Sequence, residues 1–133
     1  MPLEDKVLEW GNTRSVSLAY DICDTLYQQL RDGCADELIG RVILWGREKK
    51  LDDPKAQLNK VIEEVGEIAH EITRNRYDSP EVSDAIGDTL VTIIILADIL
   101  GMDPVDCLCQ AYMSIRARKG VTENGTFVKE VDA

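Results

Sequence analysis

Aromatic rings, histidine and positive charge are all scarce in this chain of 133 residues. It holds one Phe, two Trp, four Tyr and one His, so any core must be built mainly from Ile, Leu and Val. Fifteen bases face 25 acids, a net charge of −10, which argues against a nucleic-acid surface, where bases must cluster. The longest apolar run, Leu90 to Leu100, is interrupted by Thr92 and Asp98 and is too short to span a bilayer, so no membrane partner is expected. The opening Met-Pro-Leu-Glu-Asp-Lys lacks an apolar signal region, and a cytoplasmic location is expected. The cysteines are Cys23, Cys34, Cys107 and Cys109. In that compartment they read as reduced thiols acting as small buried hydrophobes. With no second Cys pair and a single histidine, a structural zinc site is not expected.

What remains is helical, with no internal repeat, and the length suits one domain. Apolar residues recur at helical spacing from about Ser15 to Asp32 and again from Asp36 to Lys50. Asp53-Pro54, Ser79-Pro80 and Asp103-Pro104 each place a capping side chain before a proline at the first helical position. They predict helices running to about Arg74, to Leu100 before Gly101, and to near Lys119-Gly120. Asn124-Gly125 between two short β-prone triplets predicts a hairpin. The expected fold class is all-α: a four- to five-helix bundle with a short C-terminal hairpin.

The acid is concentrated. Residues 63–106 hold eleven acids and two bases. On the third helix Leu58, Val61, Ile62, Val65, Ile68, Ala69 and Ile72 form one stripe, and Lys60, Glu63, Glu64, Glu67, Glu71 and Arg74 the opposite one. On the plain amphipathic reading the acidic stripe is simply solvated. Yet Glu63/Glu67, Glu64/Glu67 and Glu67/Glu71 set like charges three or four residues apart, which opposes the helix unless a cation removes the cost. On the fourth helix Glu81, Asp84 and Asp88 share a face that continues as Thr92, Ile95 and Ile99. Beyond Asp88 that helix is apolar nearly all round and is expected to be enclosed by protein, so Asp88 stands where the acidic stripe enters the interior and needs a partner or a metal. Carboxylates on two adjacent helices suit Mg²⁺, or Mn²⁺, and through it a phosphorylated substrate. Glu67-Ile68-Ala69-His70 is a Glu-x-x-His step of the di-iron kind, but such sites need two and the chain has one histidine.

Glu63-Glu64-Val65-Gly66-Glu67, followed by Ile86-Gly87-Asp88, resembles the MazG-like nucleotide pyrophosphohydrolases, whose pattern is Glu-Glu-x-x-Glu on one helix and Glu-x-x-Asp on the next. Glu37 to Trp45, Asp53 to Gln57 and Ile115 to Gly120 look like the short phage-type and bacterial members. The likeness covers about residues 36–129, which divides the chain into an N-terminal helical extension, 1–35, and a MazG-like domain, 36–133. The resemblance implies an all-α bundle working as a homodimer or homotetramer. It implies Mg²⁺-dependent hydrolysis of nucleoside triphosphates, ribo or deoxyribo, to monophosphate and pyrophosphate. Glu64, Glu67 and Asp88 would be metal ligands, and Glu63 a ligand or the group orienting the attacking water. Lys60, Arg116, Arg118 and Lys119 would hold phosphates, with helix C-terminal bases serving the dipole as the plain alternative for the last three. Trp45 would stack on a base or sit in the core.

One position departs. The Glu of Glu-x-x-Asp falls at residue 85, which is Ala85. Asp84, one turn before Asp88, is a substitute ligand whose side chain leaves the helix about 100° away. Three readings stay open: a truncation that inactivates the site, a member with a reshaped metal site, or a bundle that binds nucleotides or protein partners without hydrolysis. The first leads, because alanine is the usual truncation and the rest of the motif is intact.

Overall fold

The computed structural model describes residues 2–6 and 16–131; the helix start expected at Ser15 lies outside them. Five long helices follow in chain order: α1 (Val16–Asp32), α2 (Ala35–Glu48), α3 (Pro54–Ile72), α4 (Pro80–Ile99) and α5 (Pro104–Ile115). Strands β1 (Gly120–Glu123) and β2 (Thr126–Lys129) pair antiparallel. Asn124 and Gly125 both have positive φ, 50° and 77°, as a tight primed turn requires. The all-α expectation holds, with one boundary moved. α5 ends at Ile115, so Arg116, Arg118 and Lys119 follow the helix rather than forming its last turn.

The chain forms two compact units dividing between Arg41 and Val42, inside α2. In the first, a helical turn at residues 3–6 is tied to α1, with Lys6 Nζ 3.0 Å from Asp21 and 2.8 Å from Thr25 Oγ1. In the second, α3 and α4 form an antiparallel pair. Asp53 caps α3 by accepting from the backbone N–H of Lys55 and Ala56 at 2.9 and 3.2 Å. Ser79 caps α4 by accepting from Val82 N–H at 3.2 Å, and Gly101, at φ 70°, ends it. The last turns of α2 join α4: Gly46 lies under Ile95, and Arg47 makes two hydrogen bonds to Asp98, at 2.9 and 2.6 Å.

The buried faces are not the expected ones. On α3 the buried residues are Gln57, Glu64 and Glu71, while Leu58, Ile62, Val65 and Ile72 of the apolar stripe are exposed. The face of α3 that the chain itself packs is therefore the border of the two stripes, where Val61 and Ile68 are half-buried beside these three, while Lys60, Glu63 and Glu67 are exposed. Helix α4 is likewise not enclosed: Ile86, Leu90 and Ile93 are open, Leu90 to 57%. Among the described residues the buried apolar side chains are Val82, Ala85 and Ile95, and all four cysteines are exposed rather than buried. No single described helix is long and apolar enough to cross a membrane.

Candidate carboxylate site between two helices

The antiparallel register of α3 and α4 is fixed at both ends. Near one end Gln57 Nε2 donates to the Thr92 carbonyl at 3.1 Å; near the other, Ser79 Oγ donates to Glu71 Oε2 at 3.5 Å. Counting seven residues along α3 from Gln57 and seven back along α4 from Thr92 brings Glu64 opposite Ala85. Both are buried, Glu64 to 6% exposure and Ala85 to 3%. A small residue at 85 thus makes room for a carboxylate at 64.

Around this crossing stand the other acids. Glu63, Glu67 and Glu71 of α3 and Glu81 and Asp84 of α4 line a cavity of about 500 Å³, with Gly66 and His70. A second cavity of about 500 Å³ contains Glu64 and Asp88 at its polar end, with Lys60, and is otherwise walled by Trp45, Leu51, Ala56, Gln57, Val91, Thr92 and Ile95. Lys60 links the two sides, its Nζ 3.0 Å from both Glu63 Oε1 and Glu64 Oε1. Those two hydrogen bonds hold its ammonium above the usual lysine range.

The acids feel one another. The charge of Glu64 raises the Glu67 carboxyl, with burial and Glu63 adding to it and Lys60 opposing. Burial raises Asp88, helped by Asp84 and Glu64 and again opposed by Lys60. Glu64 Oε2 is sealed from solvent and has no hydrogen-bond partner, the one such side-chain atom among the described residues. A buried carboxylate oxygen left in this way is costly unless a cation takes it up. Glu71 is differently placed, with Arg76 at 3.5 Å and Ser79 at its end of the groove.

The oxygen-only donor set fits a hard divalent cation. Among the described residues no three His, Cys, Asp or Glu side chains already converge on one point, so the acids ring an open groove rather than a closed cage. Such an arrangement suits a cation that keeps waters and takes phosphate oxygens.

Of the residues expected at the site, Glu63 and Glu67 line the first cavity with Asp84, and Glu64, Asp88, Lys60 and Trp45 line the second. Trp45 is half-exposed at the cavity edge rather than in the core. Arg116, Arg118 and Lys119 line neither cavity; Arg118 and Lys119 border a shallow depression with Ser114, Ala117, Lys129 and Glu130. His70 is exposed, its Nδ1 2.9 Å from Arg74 Nη1. Gln57 and Thr92 carried no site signal as isolated residues, and only the crossing of the two helices gives them one.

Residues 52–117 match the MazG nucleotide pyrophosphohydrolase domain, a stretch that contains α3, α4, α5 and every carboxylate of the groove. No curated protein and no solved structure matches the chain. The motif, the helical fold and the matched domain agree: the chain belongs to the MazG-like family of nucleotide pyrophosphohydrolases.

Proposed function

We propose that this chain hydrolyses ribo- or deoxyribonucleoside triphosphates to the monophosphate and pyrophosphate, with Mg²⁺ as cofactor and Mn²⁺ able to replace it. The observation that carries this reading is the partnerless, sealed Oε2 of Glu64, with six further acids lining the two cavities and Lys60 paired to Glu63 and Glu64. Glu64, Glu67 and Asp88 would hold the cation. Asp84 supplies the further carboxylate that Ala85 does not, since it faces the acidic cavity and its charge reaches Asp88. When bound, the cation neutralises charge developing on the phosphates and lowers the pKa of a bound water.

The chain's own groups do the rest. Glu63, exposed and hydrogen-bonded to Lys60, is placed to orient a water. Lys60 sits at the carboxylates on a flexible stem and exchanges a carboxylate contact for a phosphate oxygen with little rearrangement. Trp45 offers a ring face at the edge of the apolar cavity, which excludes water from the nucleoside. Arg116, Arg118 and Lys119 are assigned no phosphate contact within one chain.

We further propose that the working form is a homodimer or homotetramer in the cytoplasm. Ile62 (61% exposed), Leu58, Val65 and Ile72 of α3 and Ile86, Leu90 and Ile93 of α4 leave two apolar stripes open, and the three buried apolar side chains among the described residues make a small core. A second copy of the same helices is the covering that symmetry offers most simply.

Separation of the products formed from ribo- and deoxyribonucleoside triphosphates tests the hydrolytic reading. Monophosphate and pyrophosphate, formed with Mg²⁺ and abolished by chelator, are expected. Diphosphate and phosphate, or no turnover of any nucleotide, would contradict it; nucleotide binding without turnover would point to a non-catalytic bundle.

A further inference from the structure

The apolar cavity has a directional pattern of hydrogen-bonding groups at its buried end. Gln57 and Thr92 are both buried there, among walls of Leu51, Ala56, Val91 and Ile95. The Gln57 amide donates to the Thr92 carbonyl at 3.1 Å, and the Thr92 hydroxyl donates to the Thr89 carbonyl at 2.9 Å. Each side chain has therefore spent a donor on α4. Gln57 Oε1 receives no hydrogen bond within the described residues, yet it is not sealed off as Glu64 Oε2 is. Turning the amide over would set Oε1 against the Thr92 carbonyl, two acceptors face to face, so the orientation is held. The buried end of the cavity thus presents Gln57 Oε1 as a fixed acceptor, with the second N–H of the same amide beside it.

Its distance from the carboxylates is set by the helix. Gln57 and Glu64 are seven residues apart on α3, about 10 Å along the axis. That is comparable to the reach of a nucleotide from its α-phosphate to the far edge of its base. Glu64 and Asp88 close the same cavity at the other end, and Trp45 flanks it.

We propose that Gln57 reads the nucleobase: its Oε1 accepts from an exocyclic amino group, so the site favours adenine and cytosine nucleotides over hypoxanthine and uracil ones. This rests on the nucleotide-hydrolysing reading of the groove and specifies its substrate class. A 6-oxo purine or 4-oxo pyrimidine sets a carbonyl against the Gln57 oxygen, and to pair its ring N–H there instead the base must shift within an apolar slot. Recognition by a positioned polar group discriminates strongly against an analogue that cannot pair with it.

The test compares pairs differing at that group. Calorimetry with the α,β-methylene analogues of ATP, ITP, CTP and UTP in Mg²⁺ reads binding alone, and hydrolysis of the four triphosphates is followed in parallel. Preference for ATP over ITP and for CTP over UTP by roughly ten- to a hundredfold is expected. Gln57→Met, similar in shape but without the amide, is expected to bring both ratios close to one. Equal affinities in the unaltered chain overturn the proposal. So do ratios that survive in Gln57→Met, or a loss in that variant equal for all four analogues, which marks Gln57 as a strut between α3 and α4. If Gln57→Met does not fold, as judged by circular dichroism, the ratios of the unaltered chain decide. Analogues that bind with the expected ratios while no triphosphate is turned over support the base reading and refute hydrolysis. Failure of every analogue to bind refutes both.

Discussion

Replacing Ala85 by glutamate restores the family's Glu-x-x-Asp spacing, and the structure makes its effect on stability calculable. Ala85 is 3% exposed and, by the α3–α4 register, faces the buried Glu64. The longer side chain adds four heavy atoms to a packed site, which costs about 1–3 kcal/mol in strain. It also sets a second carboxylate beside one that already has a sealed, partnerless oxygen, and burying an unpaired polar group costs about 1–3 kcal/mol more. The sum, about 2–6 kcal/mol, is a large part of a typical domain's stability. It corresponds to a fall of roughly 10 °C or more in Tm for a chain of this size. A divalent cation taking up both carboxylates reverses the loss, by about 2.7 kcal/mol at a hundred times its Kd. The assay is thermal melting of the two proteins in chelator and in excess Mg²⁺ or Mn²⁺. Ala85→Glu is expected to melt well below the unaltered chain in chelator and to recover much of the gap with cation. Equal melting in chelator would show that residue 85 is not closed against Glu64. A gap that cation leaves unchanged would show that the crossing is not the cation site. Turnover by the unaltered chain is expected as well, because Asp84 already provides an acid at the groove.

Other outcomes follow from single contacts. Arg47 holds the Asp98 carboxyl below the usual aspartate range, through hydrogen bonding above all and charge besides, against the opposing effect of burial. A carboxyl depressed in the folded state lends stability that is complete above its unfolded pKa and is lost as pH falls through the folded one. Arg47→Ala should therefore melt below the unaltered chain at neutral pH, the gap closing as the pH drops below about 4; a gap that persists in acid would refute the assignment. Light scattering should give two or four times the chain mass of 14.9 kDa, and a monomer would leave the apolar stripes of α3 and α4 unexplained. Gly120→Val should unpair the C-terminal hairpin, since a Cβ there collides with the Val128 carbonyl and the Phe127 ring. The loss is read from the amide shifts of residues 120–129, and unchanged shifts would contradict it.

Much of the architecture was written locally. Three Asx- or Ser-Pro pairs set the helix starts because each supplies an acceptor for free N–H groups and a residue that needs no donor, and Asn124-Gly125 set the hairpin through positive φ. The acids of the motif could be assembled for the same reason: spacing along a helix is also position in space. Which stripe of α3 faces its own chain was not legible. Periodicity shows two unlike faces and does not say that their border, at Gln57, Val61, Glu64, Ile68 and Glu71, is what the chain buries. Glu64 is buried because Ala85 across the groove is small, a relation between residues twenty-one apart in sequence. The role of Gln57 depends in the same way on the Thr92 carbonyl, a backbone atom that no residue name reveals. The cysteines were misjudged because preference for the interior needs an interior, and this chain encloses little of one by itself.

Calorimetric titration of Mn²⁺ tests most directly whether the sealed oxygen of Glu64 is kept for a divalent cation. The unaltered chain and Glu64→Gln are compared, each checked for folding by circular dichroism. Saturable binding to the unaltered chain, weakened at least tenfold in Glu64→Gln, is the expected result. Binding of equal strength in both proteins, or none in the unaltered chain with or without a non-hydrolysable nucleotide, would contradict it.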